Sequence, residues 1–342
     1  MPDGRSRSPS PNLDTLRSIA VLMVLFDHLN RQYHVDRFDN IGFFGVLLFF
    51  VHTALVLMYS MQRSHLTGLA LVKDFYVRRF FRIYPLSILA VLTAVLLGLH
   101  TDGRGLSFAP RPGALELTSN LLLIQNLTHT PSIIGPLWSL PLEVQMYVAL
   151  PVLFLWKKRS FGLLLGLWVG CGLLGHFPRS VPALAWFSLL IFVPNFLPGI
   201  MAFTLTEKRS IPSYLWPPFI LILALVFLWM PTRRVGAELC LLLGIMLPRF
   251  KEITFRPLML ISHRIATYSY GIYLGHSFFI WFALRQHNSW ILFWAMWLII
   301  PALLYHAFEH PAIELGRRLA QKISSSPHPA PSPEELSAEG FT

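Results

Sequence analysis

The sequence predicts an all-α polytopic membrane protein with about ten transmembrane helices and both termini in the cytoplasm. Three observations carry that prediction. Of 342 residues, 54% are hydrophobic and only 13% are Asp, Glu, Lys or Arg, about half the charge fraction of an ordinary soluble domain. The apolar residues gather into runs close to the roughly 20 residues that cross a bilayer. The net charge of +11 comes from short basic clusters between those runs, which is the positive-inside pattern and not the basic face of a nucleic-acid-binding protein. The lipid bilayer is therefore an expected partner and nucleic acid is not. Cys171 and Cys240 lie within apolar runs and form no secreted disulfide framework.

Residues 1–12, MPDGRSRSPSPN, are polar, basic and rich in Pro and Ser, and the apolar run behind them ends without a small-residue cleavage site. They are expected to form a disordered cytoplasmic lead into a retained first helix. Spans are expected near 16–35, 42–62, 84–100, 138–156, 160–176, 184–206, 212–231, 235–248, 262–284 and 290–308. With the N-terminus inside, the inner segments collect most of the Lys and Arg. Arg63, Lys73 and Arg78, then Lys157, Lys158 and Arg159, then Arg317, Arg318 and Lys322 all fall there. An even number of spans agrees with that orientation.

Two connections are too long for simple turns. Residues 63–83 mix apolar and basic positions and are expected to lie in the inner interface as an amphipathic helix ending before Pro85. Residues 101–137 contain LELTSNLLLIQNLTHT, expected as a lateral or re-entrant helix on the outer side. The membrane domain is expected over 13–323, with 324–342 a Pro- and Ser-rich acidic disordered tail. The chain carries no P-loop, no GxSxG and no Cys/His spacing for a metal, so no metal site is expected.

Four constellations carry chemistry. Arg17 and His28 stand eleven residues apart in LDTLRSIAVLMVLFDHL, three turns and a rise of about 16 Å, so they share one helix face. Ionisable groups at such depth usually face a bundle interior or a wet cavity. A topogenic arginine with a packing histidine would give the same pattern. Asp27 points about 100° away from His28 on an ideal helix and is not expected to pair with it.

Arg79 and Arg82, in RRFFRIYP, are three apart and share a face; two rigid guanidinium forks suit phosphate oxygens, while plain anchoring to anionic lipid is the alternative. Glu143 follows Trp138 in WSLPLEVQMY, about 8 Å along a helix and near the level expected for His28, where a carboxylate can support an imidazole. A structural hydrogen bond to Gln145 or Tyr147 is the competing reading. Ser269, Tyr273 and His276 form one polar stripe at helical spacing, and Glu309-His310-Pro311 is expected to end the last span at the inner rim. His52 is expected to be a packing histidine.

The run LDTLRSIAVLMVLFDH, with its arginine, ten residues and histidine, resembles the opening helix of the acyltransferase 3 family of integral-membrane acyltransferases. RRFFRIYP resembles that family's second arginine motif, WSLPLEVQMY its tryptophan-serine-leucine and glutamate motif, and YSYGIYLGH and FEHP its late motifs. These occur in the family's order from Leu13 to Pro311. Thr15 and Ser18 stand where glycines are common, and Pro141 and Val144 replace a small polar and a second acidic residue. Some relatives add a soluble extracytoplasmic domain; none is expected here.

The resemblance implies transfer of an acyl group, commonly acetyl from acetyl-CoA, to a hydroxyl of a surface glycan, lipid or secondary metabolite. No cofactor is expected to be bound; acyl-CoA would be a co-substrate. It further implies acyl-CoA phosphates at Arg79, Arg82 and Arg17, with His28 as general base and Glu143 supporting its imidazole. Asp14, Trp138, Ser139, Tyr273, His276 and Glu309 would line or support the acceptor side. The rival class is a proton-coupled transporter or flippase of a lipid-linked or acylated substrate, with His28, Glu143 and His276 as a relay; a scaffold of an envelope assembly is a third.

Overall fold

Nearly every regular element is helical. The computed structural model describes residues 10–33, 38–102, 105–156, 160–174 and 188–324. The expected disordered ends lie almost wholly outside the described residues, as do Lys157, Lys158, Arg159 and the first residues of the 184–206 span.

The first helix, α1 (Pro11–Gln32), begins five residues earlier than the apolar run suggested. Local capping explains it: the Ser10 hydroxyl accepts from the Leu13 N–H at 3.4 Å and donates to the Glu252 carboxylate, and Pro11 occupies the first helical position, where its missing N–H costs nothing. α2 (Ile41–Gln62) follows, then α3 (Gly68–Leu96).

α3 corrects an expectation. The interfacial segment and the third span form one helix running through Pro85. Proline removes a backbone donor and disturbs the carbonyls of the preceding turn, yet neighbours serve that region. Tyr270 donates to the Ile83 carbonyl at 2.8 Å and Ser87 to the Tyr84 carbonyl at 3.1 Å, the means by which membrane helices tolerate proline.

The long connection after α3 holds an antiparallel hairpin, β1 (Leu99–Thr101) and β2 (Leu106–Phe108), which hydropathy did not foretell. It also holds α4 (Ala114–Leu122) and a single turn, α5 (Gln125–Thr128), where a lateral helix was expected. Buried Asn120 ties this segment together, accepting from the Ile133 N–H at 3.0 Å and donating to the Pro131 carbonyl at 2.9 Å. A 3-10 turn, Gly135–Ser139, leads into α6 (Leu140–Leu155).

The second half comprises α7 (Phe161–Leu174), α8 (Ser188–Thr204), α9 (Trp216–Trp229), α10 (Arg233–Met246) and α11 (Arg256–Phe279), then α12 (Trp290–Leu304) and α13 (His310–Ser324). π-helical turns extend α11 over Ile280–Gln286 and join α12 to α13 over Tyr305–Glu309. Pro311 therefore does not end the chain's last helical run. It sits in the first turn of α13, where a proline is compatible with a helix.

Among the described residues, four helices are long and apolar enough to cross a membrane by length and composition: Ile41–Gln62, Gly68–Leu96, Gly135–Leu155 and Trp290–Ile323. Shorter apolar helices are Phe161–Leu174, Leu189–Thr204 and Ser213–Trp229. α1 and α11 are long enough, but α1 carries Asp14, Arg17, Asp27 and Arg31, and α11 mixes Arg256 and Arg264 with many polar residues.

α2 is the hub, packed by α1, α6, α8, α9 and α10. Phe44, Leu48, Val51, Ala54 and Met58 are fully buried along it. Without a hydrophobic drive between helices in lipid, close backbone approach has to supply the packing, and glycines permit it. A Cβ on Gly45 would lie 2.6 Å from the Ala20 carbonyl of α1, and one on Gly199 of α8 would lie 2.2 Å from the Val51 carbonyl of α2. Because the obstacle is backbone, Gly199→Ala is expected to destabilise the bundle by about 1–3 kcal/mol, read as a lower melting temperature in detergent with the helix content of the folded state unchanged.

Candidate active site

Three cavities follow α1 from end to end. The first, about 620 Å³, is bordered by Asp14, Arg17, His52, Arg63 and Arg209. The second, about 110 Å³, holds Arg17, His52, Arg79, Arg82, Glu143 and Tyr147. The third, about 280 Å³, holds Asp27, His28, Arg31, Trp138, Tyr273 and Ser277. Arg17, His52 and Val56 line both the first and the second, and Val46 and Tyr273 line both the second and the third. The helix face shared by Arg17 and His28 thus fronts one interrupted path.

The arginines differ in what surrounds them. Arg82, from α3, forms an ion pair with Glu309, which is 2% exposed, and lies 5.8 Å over the Tyr270 ring. A buried guanidinium needs a counter-charge, and the packing of α13 and its π-turn against α3 brings that carboxylate in. Arg82 is therefore largely neutralised, unlike the twin of Arg79 that the spacing suggested. No carboxylate among the described residues forms an ion pair with Arg17 or Arg79, and the Arg17 Nε is buried without a hydrogen-bond partner. Glu143 stands in the same cavity and accepts a 2.5 Å hydrogen bond from the Tyr147 hydroxyl.

Glu143 is accordingly placed among arginines and not in the cavity of His28. Its position along α6 had suggested the imidazole's level; the rotation of α6 in the bundle, which sequence does not carry, turns it toward α3. The carboxylate that shares a cavity with His28 is Asp27, with Oδ2 4.0 Å from the His28 Nδ1.

The imidazole of His28 has a defined tautomer. Its Nδ1 lies 2.9 Å from the Val24 carbonyl, which can only accept, so Nδ1 carries the proton and Nε2 keeps its lone pair. His276 of α11 packs edge-to-face on this ring with centroids 4.6 Å apart. Its own Nδ1 meets the Ile272 carbonyl at 3.3 Å, and its Nε2 is buried without a partner. Tyr273 joins two motifs: its hydroxyl donates to the Pro136 carbonyl at 2.9 Å and therefore accepts from Ser139, 2.7 Å away. Trp138 stacks on Phe43 of α2 with centroids 5.7 Å apart.

Asp14 lies at the rim of the first cavity, 2.9 Å from the His263 Nδ1. Ser269 reaches only the second cavity and bonds the Ala266 carbonyl. Asp27 and His52 were the residues passed over. The signal that would have found both is an ionisable side chain inside an apolar run; for His52, its place beside Arg17 came only from helix packing. Among the described residues, no three His, Cys, Asp or Glu side chains gather in a way that could hold a metal ion.

The family model described as an acyltransferase domain, acyltransferase 3, matches residues 10–305. The chain belongs to the acyltransferase 3 family. Within reach of this family member is the peptidoglycan O-acetyltransferase OatA of Listeria monocytogenes, 26% identical over 91% of this chain and 57% of that protein. YrhL of Bacillus subtilis, whose name marks it as an inferred peptidoglycan O-acetyltransferase, is 29% identical over 44% of this chain and 25% of its own length. This acyltransferase 3 chain thus spans little more than half the length of the first relative and a quarter of the second. No solved structure matches it.

The Arg82–Glu309 contact makes a testable demand. Glu309→Gln leaves an uncompensated buried guanidinium and is expected to cost about 3 kcal/mol, seen as a lower melting temperature. Arg82→Met combined with Glu309→Leu should recover most of that loss, since a buried pair replaced by apolar groups is often near neutral.

Proposed function

We propose that this protein is a multi-pass O-acyltransferase of the cell (inner) membrane, with about ten spans and both termini cytoplasmic. It moves an acyl group, acetyl in the simplest case, from cytoplasmic acyl-CoA to a hydroxyl of a surface glycan, lipid or secondary metabolite. The observation that carries this reading is the His28 imidazole, whose Nδ1 proton is committed to a backbone carbonyl and whose Nε2 remains a base in a cavity joined through shared walls to a chamber of arginines. The names of the relatives support acetyl as the group and a glycan such as peptidoglycan as the acceptor.

In this reading the nucleotide end of acyl-CoA occupies the first cavity, whose volume of about 620 Å³ falls within the usual range of ligand sites. Its phosphates meet Arg17, where the first cavity opens on the second, and Arg79 beyond. The narrow second cavity takes the pantetheine arm, and the thioester reaches His28 about 16 Å along α1. Arg82 contributes less than its motif position suggests, because Glu309 already offsets its charge.

The acceptor hydroxyl gives its proton to His28 Nε2 as its oxygen bonds to the acyl carbon. The C–S bond breaks, and the departing thiolate takes the proton back from the imidazolium. Glu143, held by Tyr147, balances Arg17 and Arg79. Trp138, Ser139 and Tyr273 shape the acceptor side.

His28→Ala, purified into lipid and given radiolabelled acetyl-CoA with a glycan acceptor, is expected to lose transfer by about 10²-fold or more with unchanged protein level; near-parental turnover would remove the base assignment. Arg79→Gln should raise the KM for acetyl-CoA about tenfold, with a salt-dependent effect and little change in kcat. The end-to-end path of cavities also fits a proton-coupled transporter or flippase of a lipid-linked or acylated substrate. Consumption of acetyl-CoA by the purified protein separates the two.

A further inference from the structure

Asp27 is a carboxylate 1% exposed within an apolar helix, and such a group persists only where the surrounding structure supports it. Two features show that support. Arg31, one turn along, places its Nη2 3.0 Å from the Asp27 Oδ2. Across the interface, α2 presents Gly42, where a Cβ would lie 2.7 Å from the Asp27 Cβ, so any larger residue at 42 would collide with the aspartate. The remaining oxygen, Oδ1, is buried without a hydrogen-bond donor, so half of the carboxylate's capacity is left unused.

Among the described residues, charged and titratable groups face the His28 cavity from two helices. α1 itself supplies Asp27 and Arg31; α11 supplies His276 and Tyr273. The start of α2 supplies Asn40 and Gly42, the hairpin Thr101 and Gly105, and the turn before α6 Gly135 and Trp138, all uncharged. Among the described residues, Asp27 is the one carboxylate that lines this cavity. Its Oδ2 lies 4.0 Å from the His28 Nδ1, too far for a strong hydrogen bond but close enough for a charge to matter where water is scarce.

We propose that Asp27 is a positioning residue of this site: its carboxylate supports the positive charge that His28 acquires on taking the acceptor's proton, the part that sequence spacing suggested for Glu143. The proposal rests on His28 being the base. Arg31, whose side chain is 42% exposed and so only partly offsets the aspartate, holds the same Oδ2 that faces His28, and the carbonyl of Val24 keeps the Nδ1 proton, so neither the tautomer nor the aspartate has to reorganise as the charge forms. No proton moves to Asp27; the acceptor's proton travels only to Nε2 and on to the leaving group.

The test compares steady-state kinetics of purified Asp27→Asn, Asp27→Glu and Arg31→Gln with the parent, using acetyl-CoA and a glycan acceptor. Asp27→Asn should lower kcat about ten- to hundredfold, with the KM of both substrates within about threefold. Asp27→Glu, which keeps the charge, should retain at least about a tenth of parental kcat, and Arg31→Gln, which loosens the carboxylate but leaves its charge, should lower kcat by less than Asp27→Asn does. If Asp27→Asn fails to reach the membrane in parental amount, Asp27→Ser takes its place in the same comparison.

A higher acceptor KM with unchanged kcat would make Asp27 a binding group and overturn the proposal, as would equal losses in Asp27→Asn and Arg31→Gln, which would reduce the aspartate to holding the helix end. His28→Ala run alongside separates the two ideas: if it is inactive while Asp27→Asn turns over normally, only the role of Asp27 fails; if it is active, the base assignment fails first.

Discussion

A charge buried in an apolar bundle has to be met from within the bundle, and that requirement organises this molecule more than any single apolar contact. α1 carries Asp14, Arg17, Asp27, His28 and Arg31, and the helices that enclose it are arranged around them. α2 gives up side chains at Gly42 and Gly45 so that the backbones approach closely. α11 lays His276 on His28. α3 and α6 bring Arg79 and Glu143 into the chamber beside Arg17. Apart from His276, these polar groups line the three cavities along α1.

The polar groups sort into neutralised and unneutralised sets. Arg82 has Glu309, Arg78 has Asp74 at 2.9 Å, and Arg209 has Glu252 at 3.1 Å. Of these, only Arg82–Glu309 joins two helical elements; Arg78 and Asp74 stand one turn apart on α3, and Arg209 and Glu252 lie in connections between helices. For the buried pair the desolvation penalty limits what it adds to stability. Arg17 and Arg79 are the guanidiniums of the middle chamber without an ion pair among the described residues, and Glu143 is the carboxylate that shares the chamber with them. At the other end, the free Nε2 of His28 is an acceptor of protons in a cavity with an aromatic wall. The two ends differ in chemistry.

The tertiary contacts also account for the elements that sequence pattern misjudged. Pro85 and Pro311 read in the sequence as ends of helices, yet Tyr270 of α11 and Ser87 of α3 itself serve carbonyls near Pro85, and a π-turn hands Pro311 to a new helix start. The hairpin at 99–108 was not legible because three-residue strands leave no periodicity to read. It is held by Arg285, which donates to the Leu106 carbonyl at 3.0 Å and to Gln32 at 2.6 Å, partners more than 170 residues away in the chain.

The amino-acid sequence by itself determined the class and the family: composition and run length mark a membrane protein, and motifs in order mark an acyltransferase 3 chain. It also determined that Arg17 and His28 share a face and lie about 16 Å apart, because helical geometry fixes both quantities locally. What it left open was the partner of each charge. Glu143 went to Tyr147 and the arginines, Arg82 to Glu309, and Asp27 came to lie beside His28. The Glu143–Tyr147 bond and the Asp27–His28 contact lie within single helices, whereas the Arg82–Glu309 pair and the placing of Glu143 among the arginines depend on the rotation of one helix against another, which is set where glycines let backbones touch and where buried charges must be met.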